Sequence, residues 1–150
     1  MKLKNMIAIA SFMFALVIWF NAGSASANGD RNGRIHITKD CSAYSGLAGG
    51  HCTIASSNLP EIPSGSNVYY DQPFGAPAGL LDSNVVLDTG NGNRALGRCM
   101  LDGSTGLGLC TFSDGTGQLA GFTARINVSF LGGKLWAWEG TYSFNALPER

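Results

Sequence analysis

The sequence predicts an all-β protein, and more specifically an eight-stranded antiparallel β-barrel. Glycine is abundant, with 21 residues in 150, and only 13% of the residues are charged. Short segments rich in Val, Ile, Thr, Tyr and Phe recur at regular intervals, with Gly, Asn, Asp or Pro at nearly every junction, a pattern typical of short strands joined by tight turns. About eight such strands that close on themselves leave no unpaired sheet edge, which favours a barrel over an open sheet.

Residues 1–27 have the order of a secretory signal peptide. Lys2 and Lys4 precede an apolar run from Met6 to Phe20, and Ala25-Ser26-Ala27 follows it. The alternative is a membrane anchor, but this run has 15 residues, whereas a spanning helix usually needs about 20. We therefore expect cleavage after about Ala27, a single domain over residues 28–150, and a secreted or periplasmic protein.

The predicted domain contains eight strand segments. In chain order they are Arg34–Asp40, His51–Ser57, Asn67–Asp71, Asn84–Asp88, Arg94–Leu101, Leu107–Ser113, Gln118–Phe130 and Lys134–Phe144. The Gly-rich segments 103–108 and 114–117 are interpreted as hairpin turns, because neither has the lysine and following helix of a phosphate-binding loop.

The last two segments show the clearest division into two faces. Alternate positions predict that Phe122, Ala124, Ile126, Val128 and Phe130 face the interior. In the final strand the aromatic residues share one face, with Gly140 among them. Two interpretations stay open for these rings: they form core, or they line a ligand cavity. The cavity candidates are Tyr70, Phe122, Ile126, Phe130, Trp136, Trp138, Tyr142 and Phe144.

Four cysteines occur as two pairs with the same spacing. Ten residues separate Cys41 from Cys52, and ten separate Cys99 from Cys110. Each pair brackets a predicted turn, so the partners face each other across a hairpin, where disulfides form readily. Of the three connectivities that four cysteines allow, the spacing favours 41 to 52 and 99 to 110. A redox pair or zinc site lacks the usual ligand spacing.

Charge and motifs exclude several functional classes. Without Lys2 and Lys4 the chain has eight basic against ten acidic residues, a net charge of about minus two. No basic stripe is present, so we expect neither nucleic acid nor, after signal cleavage, a membrane as partner. An apolar small molecule remains a candidate partner. We expect no metal site, because His36 and His51 belong to no metal-binding motif.

Glu139 is the one candidate catalytic residue. It lies between Trp138 and Gly140 in the aromatic strand, and burial there would raise its pKa. The alternative is a solvated carboxylate paired with Lys134 or Arg125.

Several segments resemble a known family. Residues 115–124, GTGQLAGFTA, and 136–144, WAWEGTYSF, are similar to the C-terminal half of allene oxide cyclase barrel-like proteins and of dirigent proteins. Residues 57–63 and 81–89 look like segments of small exported bacterial members. The resemblance implies an eight-stranded barrel with an apolar interior that works without a cofactor. The matching motifs are turns and strand ends, so the resemblance does not identify a catalytic residue in this sequence.

Two functions follow from these observations. The first is an exported barrel that binds an apolar small molecule in its interior or acts at the cell surface. The second is a cofactor-free isomerase or cyclase, as the resemblance implies for the plant members. Dirigent-type relatives tend to be trimers, so the resemblance also implies a homo-oligomer as one arrangement.

Overall fold

The chain forms a closed barrel in which each strand pairs with its neighbours in sequence, and the last strand pairs with the first. The computed structural model describes residues 31–75 and 78–145. The predicted signal peptide lies outside these residues. The predicted fold class, an eight-stranded antiparallel β-barrel, is confirmed.

The strands are short and are joined by turns. They are β1 Arg31–Asp40, β2 His51–Ser57, β3 Asn67–Tyr70, β4 Leu80–Asp88, β5 Arg94–Asp102, β6 Leu107–Ser113, β7 Phe122–Gly132 and β8 Leu135–Phe144, with one 3-10 helix at Gly117–Leu119. All eight neighbouring pairs are antiparallel.

The predicted and observed strands differ mainly at their ends. β1 and β4 begin earlier than predicted, at Arg31 and Leu80. The prediction that Gln118 begins β7 is wrong, because residues 117–119 form the 3-10 helix and Gly121 has a φ of 75° before the strand starts. A positive φ interrupts extended backbone, and glycine adopts it without steric cost.

The long pairing of β1 with β8 closes the barrel. These strands align over ten residue pairs, from Arg31 opposite Phe144 to Asp40 opposite Leu135. β7 pairs with the other edge of β8, with an irregularity between Phe130 and Gly132. Because no strand edge is left open, every strand has one inner and one outer face.

Apolar side chains fill one end of the barrel. The connections at this end are β2–β3, β4–β5 and β6–β7, and they carry Leu59, Ile62 and Leu119 into the interior, each at most 4% exposed. Phe122 and Phe144 pack beside them with ring centroids 5.2 Å apart. The opposite end is less completely filled, and the candidate site lies there.

Two disulfide bonds join the predicted partners, Cys41 to Cys52 and Cys99 to Cys110. Cys99 lies directly opposite Cys110 in the β5–β6 hairpin, with Cα atoms 4.1 Å apart. Both bonds are buried at the same end of the barrel, where they tie neighbouring strands together. The connectivity favoured by spacing is therefore confirmed.

Among residues 31–75 and 78–145, no helix has the length and apolar character needed to cross a membrane.

Gly140 allows β7 and β8 to approach closely. A Cβ atom added there would lie 2.1 Å from the backbone oxygen of Arg125 on β7. We expect Gly140→Ala to lower the free energy of unfolding by about 1 to 3 kcal/mol, the usual cost of overpacking. The measurement is denaturant unfolding of the oxidised protein.

Gly33→Ala is the matched control for this prediction. Gly33 is also a strand glycine, but a Cβ there would meet only the Tyr142 side chain, at 3.1 Å, and that side chain can move. We expect a smaller loss for Gly33→Ala. Equal losses in both variants would contradict the assigned role of Gly140.

Candidate functional site: a lysine in the barrel cavity

A cavity of about 290 Å³ occupies the incompletely filled end of the barrel. This is the end at which β1, β3, β5 and β7 finish and β2, β4, β6 and β8 begin. Both disulfide bonds contribute to its wall. Its lining includes fully buried side chains as well as exposed ones such as Met100 and Phe130, so the cavity opens to solvent.

Most of the lining is apolar. Leu81, Leu101, Val128, Phe130 and Trp136 supply side chains from β4, β5, β7 and β8. Phe130 and Trp136 stack at a centroid distance of 4.8 Å. The polar side chains in the lining are few, and two of them are Lys39 and Tyr70.

Lys39 is buried because of its position in β1. Ile35, Ile37 and Lys39 alternate with outward-facing residues, and all three are inside, with Lys39 only 5% exposed. Strand alternation forces the lysine onto the apolar face. Its amine therefore lies within the barrel instead of in water.

The Lys39 amine has specific neighbours. Its Nζ donates a hydrogen bond to Tyr70 Oη at 2.6 Å. It also lies 4.6 Å from the centroid of the Trp138 ring, a cation–π distance. Tyr70 is held in turn by Tyr44, with ring centroids 5.0 Å apart. The amine is thus positioned by a layer of aromatic side chains.

Burial changes the acid–base properties of this pair. Desolvation lowers the pKa of Lys39 from 10.5 to about 7. Desolvation also raises the pKa of the Tyr70 hydroxyl, with a further contribution from Tyr44. The phenol therefore stays protonated, while the amine changes its charge near neutral pH.

Two further polar atoms near the amine have no partner. Tyr44 Oη and Trp138 Nε1 are buried without a hydrogen bond to any described residue. Burial raises the pKa of Tyr44, and the Phe74 N–H lies close enough to oppose that rise. This N–H nevertheless donates its hydrogen bond to the Gly46 carbonyl oxygen, at 2.9 Å. Tyr44 is also one of the few polar residues in the cavity lining.

Glu139, the predicted catalytic residue, lies on the outer face of β8. Its side chain is 48% exposed, and its carboxylate contacts Nδ1 of His36 in β1. The partner is neither Lys134 nor Arg125, because β1 adjoins β8 and places His36 directly opposite Glu139. The structure does not bring Glu139 to the cavity, and its catalytic role stays a prediction.

The predicted cavity residues separate into three groups. Tyr70, Phe130 and Trp136 line the cavity. Phe122, Ile126, Trp138 and Phe144 are fully buried in the core, and Tyr142 packs partly buried against it. Phe130 continues the inward-facing alternation of β7 into the cavity lining, but it lies at the rim, where the residue is 48% exposed.

Lys39 and Tyr44 were not predicted as site residues. The signal for Lys39 was present, since this lysine falls in phase with Ile35 and Ile37 in an alternating strand. A charged residue on an apolar face is unusual and indicates a special environment. Tyr44 follows β1 in a connection, where strand alternation gives no information.

In the described ranges, no cluster of three or more His, Cys, Asp and Glu residues could hold a metal ion. Comparison of the chain with protein-family models, with curated proteins and with solved structures finds no match.

The lowered pKa of Lys39 makes stability depend on pH. Between about 7 and the ordinary lysine pKa near 10.4, the unfolded chain binds more protons than the folded one. The free energy of unfolding should therefore rise with pH from about 7, by up to about 1.4 kcal/mol per pH unit. Lys39→Met should remove this slope.

Urea unfolding between pH 7 and pH 9 measures the effect, since the raised pKa values of Tyr44 and Tyr70 act in the opposite direction only above about pH 10. Arg34→Gln is the control, because it removes a cation from the outer face of the same strand. A slope that persists in Lys39→Met would rule out Lys39 as its source.

Proposed function

We propose that this protein binds a small, largely apolar molecule in the cavity at the open end of the barrel. The observation that carries the proposal is the cavity itself, which combines an apolar wall with a few polar groups around Lys39. Concave apolar sites with a small number of placed polar groups are the usual form of small-molecule binding sites.

The cavity volume limits the ligand. At about 290 Å³ it is roughly twice as large as a cavity that holds one benzene molecule. It therefore has room for about a dozen non-hydrogen atoms. Exposed apolar side chains at the rim, Phe74 and Phe130, extend the apolar contact towards solvent.

We further propose that the protein is exported, through a signal peptide in residues 1–27. Two disulfide bonds are compatible with an extracellular or periplasmic location. The barrel fold also agrees with the expected resemblance to allene oxide cyclase barrel-like proteins, which stays part of the proposal.

A second candidate function is a cofactor-free isomerase, and the Lys39–Tyr70 pair favours it. An amine with a pKa of about 7 beside a protonated phenol can accept and donate protons at neutral pH. A reaction in the cavity would use these groups, since Glu139 lies outside it. If the protein catalyses an isomerisation and Lys39→Met keeps the same rate, the Lys39 amine does not transfer the proton in that reaction.

Binding can be tested with 1-decanol, a neutral apolar probe of suitable size. We expect Val128→Phe, which fills the cavity from β7, to weaken decanol binding at least about tenfold, because the added ring occupies ligand volume. Isothermal titration calorimetry on the oxidised protein measures the change.

Asn127→Phe is the matched control, because it adds the same ring to the outer face of the same strand. We expect it to leave binding unchanged. Equal weakening in both variants, or failure of the unmodified protein to bind both decanol and decanoate, the acid of the same chain length, would contradict the proposal. Native mass spectrometry of protein from its own host would show whether a ligand of this size is already bound.

A further inference from the structure

We propose that the ligand is a carboxylate, namely a mostly apolar acid whose anionic group pairs with Lys39 inside the barrel. This inference rests on the proposed function, and it names the chemical class of the molecule in the cavity. It is carried by the charge of the lining, by the partners of the amine and by the shape of the remaining space.

The only charged residues in the described cavity lining are lysines. Apart from Lys2 and Lys4, the sequence contains two lysines, Lys39 and Lys134, and both line this cavity. No Asp or Glu of the described ranges belongs to the lining. The described ion pairs use carboxylates elsewhere, at Glu61, Asp82, Asp88 and Glu139.

The Lys39 ammonium lacks an anionic partner within the described part of the chain. Of its three N–H donors, one is used by Tyr70 Oη, and the Trp138 ring supplies only its face. A buried charge that is not neutralised is costly, so the fold favours an anion beside it. A bound carboxylate supplies that anion.

Tyr44 offers a second donor. Its hydroxyl is buried without a partner and lies in the same lining, next to the ring of Tyr70. A carboxylate has two oxygens, and each can accept a hydrogen bond. One oxygen can accept from Lys39 Nζ and the other from Tyr44 Oη.

The rest of the cavity suits an apolar chain. Val128 and Leu81 are buried in its wall, and Phe130 lies exposed at the rim. An acid with its carboxylate at Lys39 and its hydrocarbon part along this wall would satisfy both regions. The volume admits about a dozen non-hydrogen atoms, as in decanoate.

The affinity should depend on pH. The titratable groups that face the Lys39 amine are Tyr70 from β3 and Tyr44 from the β1–β2 connection, and Lys134 joins the lining from the β7–β8 turn. Because the pKa of Lys39 is about 7, the free protein must take up a proton to bind the anion at higher pH. The affinity for decanoate should then fall, by up to about tenfold per pH unit.

The test compares decanoate with 1-decanol, which has a similar chain and a neutral head. We expect decanoate to bind about tenfold more tightly than decanol at pH 6, because a hydrogen bond between charged groups is stronger than one to a neutral hydroxyl. Lys39→Met should abolish this preference. Arg34→Gln, which removes an outward cation from the same strand, should preserve it. Calorimetry at pH 6, 7.5 and 9 measures all of these.

Tyr44→Phe is a second variant in case Lys39→Met does not fold. It removes one hydroxyl, and we expect a several-fold loss for decanoate with little change for decanol. Thermal unfolding of each variant establishes that the fold is intact.

The outcomes separate the two proposals. Equal binding of decanoate and decanol would overturn the carboxylate inference and leave the proposed function standing. Binding of neither probe would overturn both. A third outcome is that decanoate is not preferred, but that decanal becomes attached to Lys39 in the presence of cyanoborohydride. The amine would then form an imine with the aldehyde, with loss of water, and cyanoborohydride would reduce this imine to a secondary amine. The carboxylate inference would again be wrong.

Discussion

Pairing of the first strand with the last is the constraint on which the structure depends. β1 and β8 align over ten residue pairs, and this alignment closes the sheet. Once the sheet is closed, strand alternation decides which side chains lie inside and which lie outside. A slip of one residue in β1 would move Lys39 to solvent and His36 to the interior. The register therefore sets the chemistry of the cavity as well as the shape of the barrel.

The two ends of the barrel differ for a physical reason. A small eight-stranded barrel has an interior just wide enough to be filled by side chains. At one end the connections deliver Leu59, Ile62 and Leu119 inwards and complete the packing. At the other end the disulfide bonds and a buried lysine occupy that space, and a cavity remains. Desolvation of the amine there lowers its pKa, so this end combines apolar surface with a group that changes charge near neutral pH.

Residues of β1 have different roles according to whether they face the inside or the outside of the barrel. His36 lies outside and pairs with Glu139, a half-exposed ion pair of the kind that contributes little to stability. Lys39, three positions further on, lies inside among aromatic rings. Glu139 lies between Trp138 and Gly140 of the aromatic strand, but residues adjacent in a strand point in opposite directions. The same rule that buries Trp138 therefore exposes Glu139.

The fold class, most strand positions and both disulfide bonds could be predicted from the sequence, because alternation, turn residues and cysteine spacing are local signals. The sequence also shows that Lys39 lies on the same face of its strand as Ile35 and Ile37. The meeting of Lys39, Tyr44 and Tyr70 at one end of the barrel could not be predicted in this way, because they come from a strand, a connection and another strand that the fold brings together. The space beside them depends on how side chains from several strands pack, and no local pattern encodes that volume.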